Sequence, residues 1–329
     1  MSVLEVAVII PTLNEERFIE NCLHSVINQS YPFKQMDIMV VDGGSTDRTI
    51  EIVNSFHLQY PNIRLLHNEK RIQSVAFNIG VNSSNAPYVV RLDAHARYDE
   101  HYIGLCIKHL KDIDKIGNVG GCWNIQPQNS SLQARANAVL NTSRFGIGGA
   151  AFRVGAKAGF VDTVPFGAFP RSVIEQVGLM REDLARGEDN EYNSRIHKNG
   201  YKIYFDPEIH CAYFARATVG ASMRQMYSNG LSIGHLFYID KKSIGIRHIV
   251  PMLFVLSILF SLILSLFCPY MIYLLIAILS AYAVVDIIAT ILECVKNGWV
   301  YVSILPWLFF LIHISYGCGT IVGLIKSKQ

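Results

Sequence analysis

The stretch Asp42-Gly43-Gly44-Ser45-Thr46-Asp47 most constrains the fold of this chain, because it directly follows the apolar run Asp37-Ile38-Met39-Val40-Val41. A short continuous apolar run bounded by turn residues is typical of a buried strand in a parallel sheet. Open α/β sheets bind ligands at the carboxyl ends of such strands. The two glycines let backbone approach a ligand closely, and Ser45 and Thr46 can cap the helix that follows. The stretch therefore predicts a strand, a ligand-binding turn and a helix.

Strand and helix signals alternate over residues 1–115, which predicts a parallel sheet with right-handed crossovers. The predicted strands are 5–10, 37–41, 62–66 and 87–92, and the predicted helices are 15–29, 47–56, 73–81 and 98–113. Further on, the pattern predicts strands at 117–125 and 201–205 and a helix at 189–198. The glycine-rich segment 143–150 predicts a mobile loop, either a flexible connector or a lid over a binding site.

Charged residues become rare after Ile249, and none occurs between Ile249 and Val285. About 20 apolar residues span a bilayer, so the tail predicts membrane segments near 249–268, 270–292 and 300–325. Before them, the amphipathic stretch 218–240 is typical of a helix in the membrane interface or of an ordinary packed surface helix. We therefore expect an α/β domain over 1–217, an interfacial segment with a basic end over 218–248, and a membrane domain over 249–329.

Basic residues indicate the orientation of this tail. Lys241, Lys242 and Arg247 precede the first span and predict that the α/β domain lies in the cytoplasm. Three spans would place Lys326 and Lys328 outside, so either the positive-inside tendency is weak here or one segment is re-entrant. Met1 leads directly into the first strand, so we expect no signal peptide. Seven scattered cysteines without a CxxC pair favour a reducing compartment, and the absence of a basic aromatic stripe argues against nucleic acid.

Acidic and polar side chains follow several of the predicted strands. Pro11-Thr12-Leu13-Asn14-Glu15 closes the first strand, and Asp42 closes the second. Asp93-Ala94-His95 ends the fourth, where residues i and i+2 point to one side and can address a single cation. Glu188-Asp189 opens a later helix, where an acidic pair can act as a base or can simply cap the helix and interact with its dipole. Glu15 and His95 also have structural explanations, as a first-turn acid and as a hydrogen-bonded residue without metal.

Taken in this order, the four carboxylate sites resemble the inverting glycosyltransferases of family 2. The resemblance implies a GT-A fold, a Rossmann-like and mostly parallel α/β sheet that binds a nucleotide sugar. It implies that Asp189 deprotonates the acceptor while Glu188 helps to position Asp189 or the acceptor. It implies Mn²⁺ or Mg²⁺ held by Asp93 and His95, with His210 as a further candidate ligand. The residues that the resemblance assigns to the nucleotide sugar are Pro11, Thr12, Glu15, Asp42, Gly44, Arg71, Asn78 and Asp93.

Three longer segments resemble the succinoglycan-type branch of that family, whose members build exopolysaccharide on a lipid carrier: 152–155, 161–167 and 213–216. That branch also carries Asp-Ala-His at the metal position and membrane helices at the C-terminus. The resemblance assigns the acceptor or the membrane interface to Arg216, Arg224, Gln225 and Tyr227. A Gln-x-x-Arg-Trp motif, typical of processive synthases, does not occur, which favours single sugar additions.

The resemblance predicts a metal-dependent transfer of a hexose from a nucleoside diphosphate sugar, expected to be UDP-linked. The expected acceptor is a polyprenyl-linked glycan at the cytoplasmic face of the inner membrane. Two alternatives remain open at this point. One is direct transfer to polyprenyl phosphate, and the other is a non-catalytic membrane scaffold that retains the fold. A dehydrogenase is disfavoured because the first strand-to-helix turn lacks G-x-G-x-x-G.

Overall fold

The computed structural model describes residues 4–184 and 186–326, so Lys328 lies outside the described residues. Within these ranges the strands are β1 Val6–Thr12, β2 Met36–Asp42, β3 Ile63–His67, β4 Tyr88–Arg91, β5 Ala96–Tyr98, β6 Ile116–Pro127, β7 Gly159–Val161, β8 Ala168–Pro170 and β9 Lys202–Ala215. The helices in the same ranges are α1 Ile19–Ile27, α2 Thr49–Gln59, α3 Gln73–Asn82, α4 Tyr102–Asp112, α5 Leu132–Thr142, α6 Arg144–Ile147, α7 Ala151–Val154, α8 Arg171–Val177, α9 Glu188–Lys198, α10 Val219–Ile239, α11 Ile246–Ser265, α12 Met271–Asn297 and α13 Leu305–Lys326.

The chain forms two compact units. The first contains Met1–Asn124 and Ala151–Tyr213, and the second contains Ile125–Ala150 and Phe214–Gln329. The contacts thus group residues 125–150 with the C-terminal helices, although they precede much of the sheet in sequence. A boundary after residue 217 stays a prediction.

The first unit is built on one sheet with strand order β3-β2-β1-β4-β8-β6-β9-β5, and β7 pairs with β9. Strands β1 to β4 are parallel, whereas β8 runs antiparallel to β4. The α/β class with a largely parallel nucleus is confirmed. The pattern missed β5, β7 and β8, because strands of three residues are too short to show an alternation.

Apolar side chains cover both faces of this sheet, which explains the continuous apolar runs of β1 and β2. Successive side chains of a strand point to opposite faces. Val6, Val8 and Ile10 therefore pack in one core cluster, and Ala7 and Ile9 pack in the other. All five are fully buried. In the register of β1 and β2, Thr12 lies opposite Asp42, so the two strands end at the same edge of the sheet.

The second unit contains the apolar helices. Of the described residues, α11, α12 and α13 are long and apolar enough to cross a membrane. Helix α10 packs closely on α13 through glycines, since a Cβ at Gly230 would lie 2.1 Å from the Tyr316 carbonyl oxygen. Arg144–Ile147, predicted as part of a mobile loop, forms the helical turn α6 instead. Phe145 in this turn packs edge-on against Phe309 of α13, with ring centroids 5.2 Å apart.

Candidate active site

An open cleft of about 160 Å³ lies at the carboxyl edge of β1 and β2 in the first unit. Several predicted ligand-binding residues line the cleft: Pro11, Thr12, Glu15, Arg71, Asp93 and His95. Gln73, which the sequence analysis did not single out, lines it as well. The structure thus brings together residues from three separate turns, although their roles towards a nucleotide stay predictions.

Asp42 shapes the turn that follows β2. Its Oδ2 accepts hydrogen bonds from the amides of Gly44 and Ser45 at 2.7 and 2.9 Å, and the Ser45 hydroxyl donates to Oδ1. Gly44 has a φ of +82°, a conformation that favours glycine, and a Cβ there would lie 3.5 Å from the Arg71 guanidinium. Asp42 and Gly44 therefore set the path of the backbone beside Arg71.

Arg71 and Asn78 serve different local purposes. Arg71 lines the cleft and adopts a left-handed backbone conformation with φ of +58°, which a non-glycine residue holds only when its surroundings enforce it. Asn78 is buried, and its amide donates to the Met180 carbonyl and accepts from the Met180 amide at 2.8 and 3.0 Å. Asn78 thus holds the loop that leads towards Glu188.

Asp93 and His95 stand side by side after β4. The Oδ2 atom of Asp93 lies 4.0 Å from Nε2 of His95, and Nδ1 of His95 lies 3.2 Å from Oε1 of Glu15. The Tyr98 hydroxyl accepts from the Asp93 amide at 2.6 Å and holds this turn in place. Among the described residues, no group of three or more His, Cys, Asp or Glu side chains is placed to hold a metal ion. Asp93 and His95 are thus two adjacent candidate donors.

Arg91 lies between Asp93 and the acidic pair at the start of α9. Its guanidinium donates from Nη1 to Oδ1 of Asp189. Its Nη2 atom lies 3.4 Å from Glu188 and 3.6 Å from Asp93. The Arg91 side chain is only 3% exposed. One buried cation is therefore shared by three carboxylates.

Local backbone geometry places the acidic pair. Gly187 precedes α9 with φ of +81°, in the left-handed region where glycine is favoured. The turn starts the helix at Glu188, so both carboxylates lie in its first turn, where the helix dipole favours negative charge. Glu188 is buried, whereas 36% of the Asp189 side chain is exposed. Of the two, Asp189 is the carboxylate that a substrate can reach.

Burial and mutual repulsion perturb this pair. Burial raises the pKa of Glu188 to about 7; the charge of Asp189 adds to the rise, and Arg91 opposes it. Burial also raises the pKa of Asp189, against the opposing charge and hydrogen bond of Arg91. Perturbed carboxyl groups beside a cleft are typical of catalytic sites, although structural ion pairs show them too.

Other predicted residues lie apart from this cluster. His210 is placed opposite Asp99, with its Nε2 atom 3.3 Å from Oδ2 of Asp99 and its Nδ1 2.9 Å from the Glu208 carbonyl. The predicted acceptor residues belong to the second unit, where Arg216 donates to Gln225 at 3.4 Å. Arg224 and Tyr227 lie on α10 in the same unit. The roles of all five towards metal or acceptor stay predictions.

Sequence reasoning gave no role to Arg91 or Gln73. Gln73 donates to Oδ1 of Asp93 at 2.9 Å. A signal for Arg91 was present, because an arginine inside the apolar run 88–92 must be paired when the strand is buried. Its spacing of two residues from Asp93 also puts both side chains on one side of the strand.

Comparisons with known proteins identify the family of this chain. A family model described as glycosyl transferase family 2 matches residues 7–178. The chain is 30% identical, over 98% of both sequences, to a dolichyl N-acetyl-alpha-D-glucosaminyl phosphate 3-beta-D-2,3-diacetamido-2,3-dideoxy-beta-D-glucuronosyltransferase of Methanococcus voltae. It is also 29% identical, over 74% of both sequences, to a succinoglycan biosynthesis protein of Rhizobium meliloti.

A solved structure supports the fold. A mannosyltransferase of Pyrobaculum calidifontis, in complex with GDP-mannose and Mn²⁺, superposes with a TM-score of 0.63 at 19% identity. The match covers 99% of this chain and 88% of the other. The GT-A fold expected from the sequence is confirmed.

Proposed function

This chain belongs to glycosyltransferase family 2, and from that premise we propose that it transfers a hexose from a UDP-linked sugar to a lipid-linked saccharide, with inversion at the anomeric carbon. The observation that carries the proposal is the position of Arg91. It joins Asp93, which lines the cleft, to Asp189 at the start of α9. A donor-binding carboxylate and a candidate base thus belong to one cluster.

The residues of the cleft suit the donor. Thr12, Glu15 and Arg71 line its walls, and Arg71 offers a guanidinium fork that matches phosphate oxygens. The turn after Asp42 lets backbone approach the nucleotide closely. In this proposal these residues hold the donor, and Asp93 lies where the diphosphate leaves.

Asp189 is the proposed base. In an inverting transfer the acceptor hydroxyl attacks the anomeric carbon as the bond to the diphosphate breaks, and a carboxylate takes the hydroxyl proton. Asp189 is accessible, and its contact with Arg91 favours the ionised form that can accept this proton. Glu188 is buried behind it, where it helps to position the pair.

The donor set is compatible with a divalent cation. Asp93 and His95 offer two adjacent ligands, and Mg²⁺ is usually held by one or two protein groups together with substrate phosphates. When ionised, Asp93 and Asp189 together carry one more charge than Arg91 compensates, and a divalent ion would offset this excess. A bound cation would neutralise charge on the departing diphosphate. His210 is not adjacent to these two residues in the strand register, since it pairs with Asp99.

The relatives support a lipid-linked acceptor. The name of the Methanococcus relative specifies a sugar already attached to dolichyl phosphate. This relative matches 98% of the chain, which favours a saccharide on a lipid phosphate over bare polyprenyl phosphate. The three helices that are long and apolar enough to cross a membrane support an acceptor that is itself anchored in a membrane. We propose a multi-pass protein of the cytoplasmic membrane with its first unit in the cytoplasm.

The test uses the full chain in detergent with UDP-, GDP- and dTDP-sugars. Each donor is offered with a short polyprenyl phosphate, with the same lipid carrying N-acetylglucosamine on one phosphate, and with its diphosphate analogue. We expect a product one sugar longer from a UDP-sugar and a saccharide-bearing lipid. NMR of that product should show a β-linkage from an α-linked donor.

Two outcomes would contradict the proposal. A single sugar on polyprenyl phosphate would make bare polyprenyl phosphate the acceptor, and retention of the anomeric configuration would exclude a single displacement. The Asp189→Asn variant is the matched control, because it keeps the size and capping ability of the side chain and removes its basicity.

A further inference from the structure

We infer that Arg91 is a positioning residue that holds the candidate base Asp189 in register with Asp93, so that one guanidinium links the acceptor side of the reaction to the donor side. This inference rests on the proposed function, because it assigns Arg91 a role in that transfer. It names a residue to which neither the family resemblance nor the comparisons give a role.

The geometry of Arg91 is that of a link between two elements. It is the last residue of β4, and Asp189 lies 98 positions further along, in the first turn of α9. Its Nη1 atom bonds Asp189, while Nη2 faces both Glu188 and Asp93 at 3.4 and 3.6 Å. The two ends of the guanidinium therefore address different functional groups.

The contacts to Asp93 orient that carboxylate. Oδ1 of Asp93 accepts from Gln73 and faces Arg91, whereas Oδ2 lies towards His95. The hydrogen bond from Gln73 holds Oδ1, which leaves Oδ2 on the side of His95. Asp93 therefore keeps a partner that fixes its direction when Arg91 is replaced, whereas Asp189 loses the hydrogen bond from Arg91.

A second arginine of the same sheet shows what a purely structural pair looks like. Arg64 binds Asp37 through Nε and Nη2 at 2.9 and 2.7 Å, which is a bidentate pair with one carboxylate. Arg91 makes no such pair, and its buried Nε has no hydrogen-bond partner among the described residues. Arg91 is therefore placed to contact several carboxylates at once, although a single bidentate pair would satisfy it better.

Lysine cannot reproduce this arrangement. A guanidinium is a rigid planar fork, whereas an ammonium is a single compact charge on a flexible stem. Lysine at position 91 would keep the positive charge, but it would lose the fixed spacing between the contact to Asp189 and the contact to Asp93. The pair of substitutions Arg91→Lys and Arg91→Met therefore separates charge from geometry.

The experiment measures transfer by the full chain carrying Arg91→Met, Arg91→Lys or Asp189→Asn, with Arg64→Met as the matched control. A displacement of about 1 Å in a catalytic group can cost on the order of 10²-fold in rate. We expect Arg91→Met to lower kcat by that order, with the donor KM changed by less than about threefold. The kcat of Arg91→Lys should be about tenfold higher than that of Arg91→Met, because lysine keeps the charge.

A double mutant tests whether Arg91 acts through Asp189. In the Asp189→Asn background, Arg91→Met should lower kcat by less than about threefold further, because residues that act as a unit are not additive. Arg64→Met should lower the melting temperature and leave kcat and KM unchanged. Its pair with Asp37 lies at the opposite end of β2 from Asp42.

A kcat of Arg91→Met within threefold of wild type would overturn the inference. The inference would also be overturned if Arg91→Met lowered kcat by the same factor in the wild-type and in the Asp189→Asn background. If Arg91→Met does not fold, a wild-type kcat for Arg91→Lys would overturn it by showing that the fork is dispensable. Failure of the proposed function is distinguishable, because it would appear in the wild-type enzyme itself, as a product on bare polyprenyl phosphate or as retention of the anomeric configuration.

Discussion

Arg91, the last residue of β4, donates a hydrogen bond to Asp189, the second residue of α9, across 98 positions of sequence. This contact places the candidate base of α9 at the carboxyl end of a central strand. The same arginine faces Asp93, which lines the cleft.

The first prediction concerns Asp189. General-base assistance is worth about 10²–10⁴-fold in rate, so Asp189→Asn should lower kcat by that amount. Donor KM should stay near normal, because Asp93 and Arg71 remain in the cleft. Steady-state kinetics and a melting curve measure both effects. Asp183→Asn, at a surface ion pair with Arg181, is the control and should not change kcat. If the Asp189→Asn enzyme transferred sugar at the wild-type rate, Asp189 would have only the structural role of stabilising the start of its helix.

The second prediction concerns the cation. Asp93 and His95 are adjacent donors, so EDTA should abolish transfer and Mn²⁺ or Mg²⁺ should restore it. Asp93→Ala should lower activity more than His95→Ala, because Mg²⁺ and Mn²⁺ prefer oxygen ligands. His101→Ala, at an exposed position, is the control. Undiminished transfer in EDTA would refute metal dependence.

The third prediction is a pH dependence of stability. The pKa of Glu188 is raised from its ordinary value of 4.5 to about 7, chiefly by burial. The folded protein therefore favours the neutral form, so the free energy of unfolding should fall as pH rises from 4.5 through 7. Each pKa unit corresponds to up to about 1.4 kcal/mol.

Melting temperatures measured in EDTA between pH 4.5 and 8 check this sign. The decline should be smaller for Glu188→Gln than for wild type, because glutamine carries no charge at any pH. Glu51→Gln, on the exposed face of α2, should follow the wild-type curve. Parallel curves for wild type and Glu188→Gln would show that Glu188 is not a perturbed group.

The fourth prediction concerns the packing of α10 on α13. A Cβ at Gly230 would lie 2.1 Å from the Tyr316 carbonyl oxygen, so Gly230→Ala must push the two helices apart. Overpacking of this kind typically costs about 1–3 kcal/mol, and the melting temperature in detergent should fall. Gly220→Ala, at an exposed position of the same helix, should be neutral or stabilising. An unchanged melting temperature for Gly230→Ala would contradict this close packing.

The fifth prediction concerns orientation. Lys241, Lys242 and Arg247 lie beside the start of α11 and should remain on the cytoplasmic side. A fluorescent protein fused after Ser243 should fluoresce, and alkaline phosphatase fused there should be inactive. The opposite pair of results would place the first unit outside the cytoplasm.

Strong local patterns were enough to predict much of the first unit. The strand 37–41 corresponds to β2, and the helix 73–81 corresponds to α3. Such patterns work because burial on both faces of a strand, or on one face of a helix, leaves its period in the sequence. The prediction for residues 144–147 was wrong, because they form a helical turn. Their glycines predicted a loop, but Phe145 packs on Phe309, and tertiary contact overrides low helix propensity.

The sequence by itself determined the class of the fold, the edge of the sheet at which Asp42 and Asp93 lie, and the apolar tail. These features follow from local periodicity. The resemblance to a known family also used local information, because its residues each follow a predicted strand or start a predicted helix. The sequence did not determine which of the distant groups meet.

Only the tertiary structure decided that Arg91, Asp93 and Asp189 share one cluster. It also decided that Asn78 holds the loop before α9 and that His210 faces Asp99. The physical reason is that these contacts join elements far apart in the chain. Strand β8 inserts beside β4 in the antiparallel direction, and the chain then returns through α8 and α9. Periodicity records which face of an element is buried, but it does not record which partner buries it.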